Sequence, residues 1–403
     1  MKLLNFIKND KDNILKMLVG PIVAIVGLCF IFSKIFVLDI PFAVVDMDNS
    51  SLSRTITQQL EIHPGLNVST YLDSESELEA AIKSKEVVGG IIIPKGFNKD
   101  AVKLNGPKAS IIVDGTNMLT GGNALSCSST VLGTLNAGFQ LNVLQGGNVL
   151  PYSAKQSLSS FSFEERILYD NQLSYMRNMV YILMPFVIQM LFVTGFLVPT
   201  LSREKKQLAS IEISKKEGRK RILILVARIL MIISITIIAS FIGLLFTGKL
   251  YAVPLRGNVW IYAALMAIFL VNLTAISLVI ASVVENMTLF LQFYGMTNLI
   301  VMLTSAVPWP EHMMPPGFAA VVKSIWPYIH VALPLKLLNL KGSGWGVMLP
   351  YIKEGIGYTL FWLPVGIILY SGMITIKKYK TEKVLEMQDN RKHKREEALE
   401  SKA

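Results

Sequence analysis

The chain has 403 residues, of which 52% are hydrophobic, and its mean hydropathy is +0.48. These values exclude an ordinary soluble enzyme, and the polar stretches between the apolar runs exclude a uniformly membrane-buried protein. The net charge of +11 does not indicate a nucleic-acid binder, because the basic residues flank apolar runs instead of gathering on one folded domain.

The basic residues are concentrated in three segments. Residues 1–16, 201–221 and 377–403 together hold 21 of the 39 Lys/Arg against 11 acidic residues. Residues 38–176 have the opposite balance, with nine Lys/Arg against 14 acidic residues. Because Lys and Arg accumulate on the cytoplasmic flanks of membrane spans, we expect the three basic segments in the cytoplasm and residues 38–176 on the opposite side.

The amino-terminal region predicts a surface helix followed by a span. In residues 1–16, Leu and Ile recur at roughly helical spacing among lysines, which is typical of a cytoplasmic interfacial helix. The apolar run 17–37 predicts the first transmembrane helix, TM1. A cleaved signal peptide fits less well, because the apolar run is too long and no small-residue cleavage site follows it.

Residues 38–177 predict an extracytoplasmic α/β domain with a helical extension. Short apolar runs alternate with helical stretches, a pattern typical of an α/β fold. Ser50 or Ser51 is expected to cap the first helix, and Ser74 with Glu77 forms a capping-box pattern. Residues 117–145 are compatible with a helix and residues 147–166 with a loop. The predicted strands are 40–48, 67–72, 87–94 and 109–115, and the predicted helices between them are 50–61, 74–85 and 97–106.

Five further apolar runs are long enough to cross about 30 Å of hydrocarbon. They predict TM2 at 178–200 with a kink at Pro185, TM3 to TM5 within 222–307 (222–247, 259–284 and 287–307), and TM6 at 355–376. Residues 201–221 are then predicted to form a cytoplasmic loop, and residues 308–354 an outer re-entrant or interfacial segment. Residues 377–403 are predicted to form a charged, flexible cytoplasmic tail. The predicted fold class is a polytopic α-helical membrane protein with six transmembrane helices and an inserted α/β extracytoplasmic domain. Both termini are expected in the cytoplasm.

Patterns for catalysis or metal binding are weak throughout the chain. Residues 243–250 have the G-x4-G-K spacing of a phosphate loop, but Leu250 replaces the required hydroxyl and no strand precedes the run. Asp46, Asp48 and Asp114 end predicted strands, where aspartate usually starts turns and caps helices. The four His lack metal-ligand spacing, and the two Cys make no disulfide framework. We therefore expect no catalytic residue, metal site or cofactor in this chain.

Polar side chains within the predicted spans are the remaining candidates for function. Such residues are costly in hydrocarbon and tend to face the interior of a helix bundle, either as hydrogen bonds between helices or as a transport pathway. Arg228 is expected to lie within snorkelling range of the cytoplasmic interface. The pathway candidates are Gln189, Thr194, Asn272, Ser277, Gln292 and Asn298.

The order of these parts resembles the permease subunit of ABC-2-type exporters, in the branch with a large extracytoplasmic domain between the first and second transmembrane helices. The similarity covers nearly the whole chain. Its most specific motifs are IPFAVVDMDNSSLSR at 40–54, GGIIIPKGF at 89–97, SIIVDGTN at 110–117 and SREKKQ at 202–207, followed by the Pro-rich stretches between 308 and 342.

The resemblance implies a transport subunit without its own ATPase activity. A cytoplasmic ABC ATPase would bind ATP and Mg²⁺ and drive a substrate outward, such as a drug, a lipid or another amphiphile or polymer. The permease would pair with a second copy, as a homodimer, or with a paralogue, in a bacterial plasma membrane. The implied ATPase-coupling residues are Lys8, Asp10, Arg203, Glu204, Lys205, Glu212 and Glu217, and the implied outer-gate residues are Pro308, Trp309, Pro310, Pro315 and Pro316.

Two alternatives to an exporter remain open from the sequence. In the first, an ABC ATPase drives the permease, but the spans transmit conformational work to a periplasmic or surface partner instead of passing a substrate. In the second, the chain is a motor-free membrane anchor that presents its outer domain to a surface or secretion partner. A continuous polar seam across the spans would favour transport over anchoring.

Overall fold

The computed structural model describes residues 10–32, 38–103, 107–116, 118–146, 174–210, 214–304 and 313–400. The chain forms two compact units, one of Met1–Ser33 with Leu173–Ala403 and the other of Lys34–Gln172. The first unit contains α1 (Lys11–Ile31) and all elements from α6 onward. The second unit contains β1 (Ile40–Asp46), α2 (Ser51–Ile62), β2 (Leu66–Tyr71), α3 (Glu75–Lys83), β3 (Gly89–Ile93), α4 (Phe97–Val102), β4 (Ser110–Val113) and α5 (Met118–Gly146).

The second unit is built on a four-stranded mixed sheet with the strand order β2-β1-β3-β4. Strand β1 pairs in parallel with both β2 and β3, and β3 pairs antiparallel with β4. Alternate side chains of β1 point to opposite faces of the sheet. Phe42 and Val44 pack into a core with residues of α2 and α5, whereas Ala43 and Val45 pack against α3. Helices therefore cover both faces of a central sheet.

Serine side chains cap the first turns of α2 and α3. Ser50 caps α2 by accepting a hydrogen bond from the Ser53 amide, while the Ser53 hydroxyl accepts one from the Ser50 amide. In α3, Ser74 accepts from the Glu77 amide as predicted, but the Glu77 carboxylate accepts from the amide of Asp73 rather than that of Ser74. Only half of that predicted capping box forms, because the returning side chain reaches one residue further.

Asp48 has a structural role that agrees with the interpretation of these aspartates as turn and cap residues. Its carboxylate accepts hydrogen bonds from the amides of Gly96, at 2.7 Å, and Asn98, at 3.0 Å, and so holds the start of α4. The hydrogen bond with the Ser50 side chain, together with these amides, lowers the pKa of Asp48 below its ordinary value. The stabilisation from Asp48 is therefore present above the unfolded-state pKa of about 3.9 and is lost as the pH falls through the lowered folded-state pKa.

We expect Asp48→Asn to speed hydrogen exchange of the Gly96 and Asn98 amides about fivefold at pH 7, which corresponds to about 1 kcal/mol for a partly exposed group. The difference from the wild-type chain should shrink as the pH falls through the lowered pKa of Asp48, because the wild-type carboxylate then becomes neutral as well. Exchange measured by mass spectrometry on the full chain tests this. Glu79→Gln on the exposed surface of α3 is the control, and a difference that is unchanged down to pH 2 would contradict the ionic role of Asp48.

The first unit is helical. After α1 its elements are α6 (Tyr175–Phe192), a π turn (Val193–Leu197), α7 (Val198–Leu208), α8 (Lys215–Tyr251), α9 (Val259–Val283), α10 (Met287–Leu303), α11 (Pro316–Ile325), α12 (Ile329–Lys341) and α13 (Trp345–Glu400). Within the described residues, five helices are long and apolar enough to cross a membrane: Lys11–Ile31, Tyr175–Leu208, Lys216–Tyr251, Val259–Val283 and Trp345–Lys383. This composition fits a polytopic helical membrane protein.

The fifth predicted span and the segment predicted to be re-entrant decide how many crossings the structure supports. The fifth predicted span, 287–307, contains an apolar helix of only 17 residues, α10, which is short for a membrane crossing. In the segment predicted to be re-entrant, 308–354, helices Gly317–Ile325 and Ile329–Lys341 meet at an angle of 89°. This bent pair is apolar enough to be one broken span or a re-entrant hairpin, and the count of spans is then six.

The charged flanks are more helical than predicted. Lys11 to Lys16 belong to the same helix as the first span instead of to a separate interfacial helix, and residues 1–9 lie outside the described part. The prediction of a flexible tail is also wrong as far as Glu400, because helix α13 continues to that residue. No Gly or Pro occurs between 373 and 400, and Lys, Glu and Arg are good helix formers, so nothing in the sequence stops the helix.

The predicted cytoplasmic loop, 201–221, is likewise mostly helix. Residues up to Leu208 extend the second span, and residues from Lys215 onward begin the third. The irregularity in the second span is the π turn at Val193–Leu197, which follows the expected kink site Pro185. The charged residues that belong to these two helices are therefore attached to the spans through continuous backbone hydrogen bonds.

Glycines allow close contact between helices of the first unit. A Cβ atom at Gly366 of α13 would lie 2.7 Å from the carbonyl oxygen of Ala275 in α9 and 2.9 Å from Leu278 Cβ. One at Gly355 would lie 2.7 Å from Ile268 Cγ2. The two glycines are eleven residues apart, or about three turns, and so share one face of α13. That face packs along α9 over much of its length.

Candidate functional site

A buried charged cluster joins three of the span-length helices. Asp10 directly precedes α1, Glu204 lies in α7, and Arg228 lies in α8. Their side chains are only 4%, 12% and 18% exposed, respectively. Arg228 Nε lies 2.6 Å from Asp10 Oδ2, and Arg228 Nη1 lies 3.6 Å from Glu204 Oε1. One guanidinium therefore links two carboxylates from distant parts of the chain.

A second arginine extends the cluster towards solvent. Arg221 Nη1 donates a hydrogen bond of 2.6 Å to Gln207 Oε1 and lies 3.8 Å from Glu204 Oε2. Arg221 and Arg228 are seven residues apart on α8, which places them on the same face two turns from each other. A cavity of about 440 Å³ opens beside the cluster and is lined by Arg203 as well. We refer to Asp10, Glu204, Arg221 and Arg228 as the charged cluster.

The neighbouring Lys205 is bound to the end of another helix. It is 1% exposed, and its ammonium group donates to the carbonyl oxygens of Ala281, Ser282 and Val284 at 2.5, 3.1 and 3.0 Å. The last carbonyls of α9 have no partners within their own helix, and a cation there also favours the negative end of the helix dipole. Lys205 thus caps α9 from α7.

The carboxy-terminal helix joins the same end of the bundle. Lys377 Nζ of α13 lies 3.0 Å from Glu285 Oε1 in the turn between α9 and α10. The hydrogen bond with Lys377 and its positive charge lower the pKa of Glu285. Closer to the start of α13, the Tyr370 hydroxyl donates a hydrogen bond to the Leu201 carbonyl oxygen of α7 at 2.6 Å. Helices α1, α7, α8, α9 and α13 are therefore tied together through polar contacts at one end of the first unit.

The predicted coupling residues divide into buried and exposed groups. Asp10 and Glu204 meet at Arg228, and Lys205 is occupied by backbone carbonyls. Arg203 and Glu217 are exposed, so they are accessible to a second protein. Lys8 and Glu212 lie outside the described residues. The contact of these residues with an ATPase stays a prediction.

Sequence reasoning did not identify Arg221 and Arg228 as the organising cations. Arg228 was expected to snorkel to the interface, but it pairs with carboxylates inside the bundle. Two arginines seven residues apart at the start of an apolar helix were the available signal. Their partners could not be identified from spacing, because Asp10 and Glu204 come from other helices.

The polar residues of the spans mostly bind each other or their own helix. Gln189 of α6 donates a hydrogen bond to the Asn298 side chain of α10. Asn272 of α9 donates to the Gly355 carbonyl oxygen at 3.1 Å and accepts from the Thr359 hydroxyl, both in α13. These contacts fit hydrogen bonding between helices. Thr194 donates to the Met190 carbonyl oxygen at 2.6 Å, Ser277 is buried, and Gln292 is exposed; a pathway through these six residues stays a prediction.

The other candidate motifs have ordinary structural positions. Pro315 precedes α11 and Pro316 begins it, while the other gate candidates, Pro308, Trp309 and Pro310, lie outside the described residues. Residues 243–250, with the phosphate-loop spacing, are helical within α8, and Gly243 packs against Ile22 and Ile25 of α1. A helix interior does not present the free backbone amides that cradle a phosphate.

Comparison with protein families gives a match over most of the chain. The model of the family described as ABC-2 family transporter protein matches residues 14–388, nearly the whole chain. A comparison with curated proteins finds no match.

Proposed function

The chain belongs to the ABC-2 transporter family, and from that premise we propose that it is the permease subunit of an ATP-driven exporter. Proteins of this family are membrane transport subunits that work with a separate cytoplasmic ABC ATPase, and they generally lack nucleotide-binding motifs of their own. The charged cluster carries the proposal, because it connects an accessible polar surface to three spans at once. We assign it the task of transmitting the motion of the ATPase.

The proposed topology follows from charge and from the contacts at one end of the first unit. Residues near 10, 205, 228, 285 and 377 meet there, so the chain makes an even number of membrane crossings between any two of them. The basic segments lie at this end, and the positive-inside rule supports a cytoplasmic position for it. Both termini would then be cytoplasmic, and the acidic α/β unit between α1 and α6 would be extracytoplasmic.

The mechanism rests on the difference between exposed and buried charges. Arg203 and Glu217 would contact the ATPase. A displacement of α7 or α8 would then reach α1 through Arg228, and α9 through Lys205, because each buried charge is held by partners on another helix. Two copies of the chain would enclose the pathway, and the outward release of an amphiphilic substrate would follow closure of the two ATPase subunits.

Purification of the tagged full chain from its native host tests this proposal. We expect a nucleotide-binding subunit to co-purify in mild detergent with vanadate-sensitive ATPase activity. The double charge reversal Arg203→Glu with Glu217→Lys should reduce the recovered ATPase at least tenfold, because it removes attraction and adds like-charge repulsion at the exposed surface. The chain itself should remain folded, since neither side chain is buried.

Lys353→Glu, an exposed reversal near the opposite end of α13, is the matched control and should keep the ATPase. Recovery of the wild-type chain without any nucleotide-binding subunit, under conditions that preserve its folded state, would overturn the exporter proposal. The chain would then be better described as an anchor for a partner of the α/β unit.

A further inference from the structure

A second polar site lies away from the charged cluster, between α11, α12 and α13. It is a cavity of about 420 Å³ that combines one basic side chain, one acidic side chain, a histidine and three aromatic rings. The residues that matter are Lys323, His330, Glu354, Tyr358, Phe361 and Trp362. The polar contacts of the proposed coupling mechanism do not involve any of these residues.

His330 presents an unused hydrogen-bond acceptor in this cavity. Its side chain is 10% exposed, and Nε2 lies 2.9 Å from the carbonyl oxygen of Lys323. A carbonyl oxygen can only accept, so Nε2 carries the proton and donates. In the neutral ring, Nδ1 therefore holds a lone pair, and it makes no hydrogen bond with any described residue.

The group that faces this nitrogen is also an acceptor. Glu354 Oε2 lies 3.8 Å from His330 Nδ1. Two acceptors at this distance repel each other unless a donor is shared between them. The donor can be a proton on the histidine or an N–H group of a ligand that bridges both atoms. Because the Glu354 side chain is 51% exposed and both residues line the cavity, a ligand with a positively charged N–H donor can reach both acceptors.

The aromatic rings form a fixed apolar wall beside these groups. Tyr358 donates its hydroxyl to the Ile325 carbonyl oxygen and Trp362 donates its indole N–H to the Ser324 carbonyl oxygen, each at 2.7 Å. The polar atoms of these two rings are already used, which leaves their apolar surfaces for contact. Phe361, next to Trp362, is 63% exposed. Aromatic faces attract both ammonium groups and hydrocarbon chains.

We propose that this cavity binds the headgroup of a lipid that carries a primary ammonium next to a phosphate, as in phosphatidylethanolamine. The ammonium donates to His330 Nδ1 and to the Glu354 carboxylate, and the phosphate pairs with Lys323, so the zwitterion matches the charges of the site. The acyl chains leave past Phe361 along the exposed apolar surface of α13, a helix long enough to cross the membrane. A trimethylated ammonium has no N–H to donate and leaves the two acceptors unbridged.

The test compares two lipids that differ only in that group. The full chain is placed in detergent with equal amounts of dioleoyl phosphatidylethanolamine and dioleoyl phosphatidylcholine, and the retained lipid is measured by native mass spectrometry. We expect about a tenfold preference for the ethanolamine lipid, the effect of roughly one charge-assisted hydrogen bond. Equal retention of the two lipids by the wild-type chain would overturn the proposal without any mutation.

Variants and a soluble competitor complete the test. Glu354→Gln and His330→Phe should each reduce the preference to below about threefold, whereas Glu382→Gln, an exposed control on the same helix, should keep it. Loss of the preference in the control as well would overturn the assignment to this cavity. Free phosphoethanolamine should compete at least a hundredfold more weakly than the lipid. Equal competition would show a site for a soluble aminoalkyl phosphate and would overturn its assignment to a lipid.

Discussion

Replacing Arg228 with Met is expected to destabilise the protein by about 3–5 kcal/mol. The reason is that Asp10 and Glu204, which are 4% and 12% exposed, would keep their negative charges inside the bundle without the guanidinium that lies between them. The aliphatic part of Met replaces the stem of Arg228, so the loss arises from charge and not from a cavity. The same variant should uncouple ATP hydrolysis from transport while the ATPase still binds.

The measurement is the apparent midpoint of thermal unfolding of the purified chain, together with the amount of co-purified ATPase. Arg219→Met is the control, because Arg219 is an exposed arginine on the same helix. Adding Asp10→Asn to Arg228→Met should recover part of the stability, since the buried negative charge is then removed. The role of the charged cluster would be refuted if Arg228→Met and Arg219→Met unfolded at the same temperature.

Gly366→Val is expected to separate α13 from α9 and to produce the second large effect. Its Cβ would lie 2.7 Å from the Ala275 carbonyl oxygen, a backbone atom that cannot move away by a change of rotamer. Overpacking of this kind costs about 1–3 kcal/mol, and the cost rises when a whole helix must shift. Since Asn272 binds Gly355 and Thr359 across the same helix pair, those hydrogen bonds should be lost too.

Gly357→Val is the matched control, because a Cβ at Gly357 of the same helix has nothing within 4 Å. Both changes alter the intrinsic helix propensity by the same amount, so the difference between their unfolding midpoints isolates the contact with α9. We expect Gly366→Val to elute as aggregated protein or to unfold several degrees below Gly357→Val. Identical behaviour of the two variants would mean that α9 and α13 do not pack through this glycine.

The strands and helices of the second unit could be predicted from the sequence to within about two residues at most of their ends. Strands β1 and β3 follow short apolar runs, and Ser50 caps the next helix because a serine preceded by turn residues is a local signal. Such signals are contained in five or six neighbouring residues. The existence of long apolar helices was equally clear, because length and composition decide it.

The ends of the helices and the contacts of the charged residues could not be predicted in the same way. The charges of 201–221 suggested a loop, but Lys, Glu and Gln continue a helix as readily as they end a span. The partners of Arg228 and Lys205 come from helices far away in sequence, so only the three-dimensional packing reveals them. The polar residues Gln189 and Asn298 were found as candidates, but their pairing with each other was not.

The π turn at Val193–Leu197 has a consequence for the evolution of this chain. A π turn is equivalent to one residue inserted into an α-helix, and each residue rotates the helix by about 100°. The wider π turn takes up that extra residue, which in a regular helix would turn Glu204 and Lys205 by about 100° away from Arg228 and the end of α9. The residue and the π turn should therefore be gained or lost together, and a relative with an uninterrupted helix should align to this chain with a single-residue gap within 193–197.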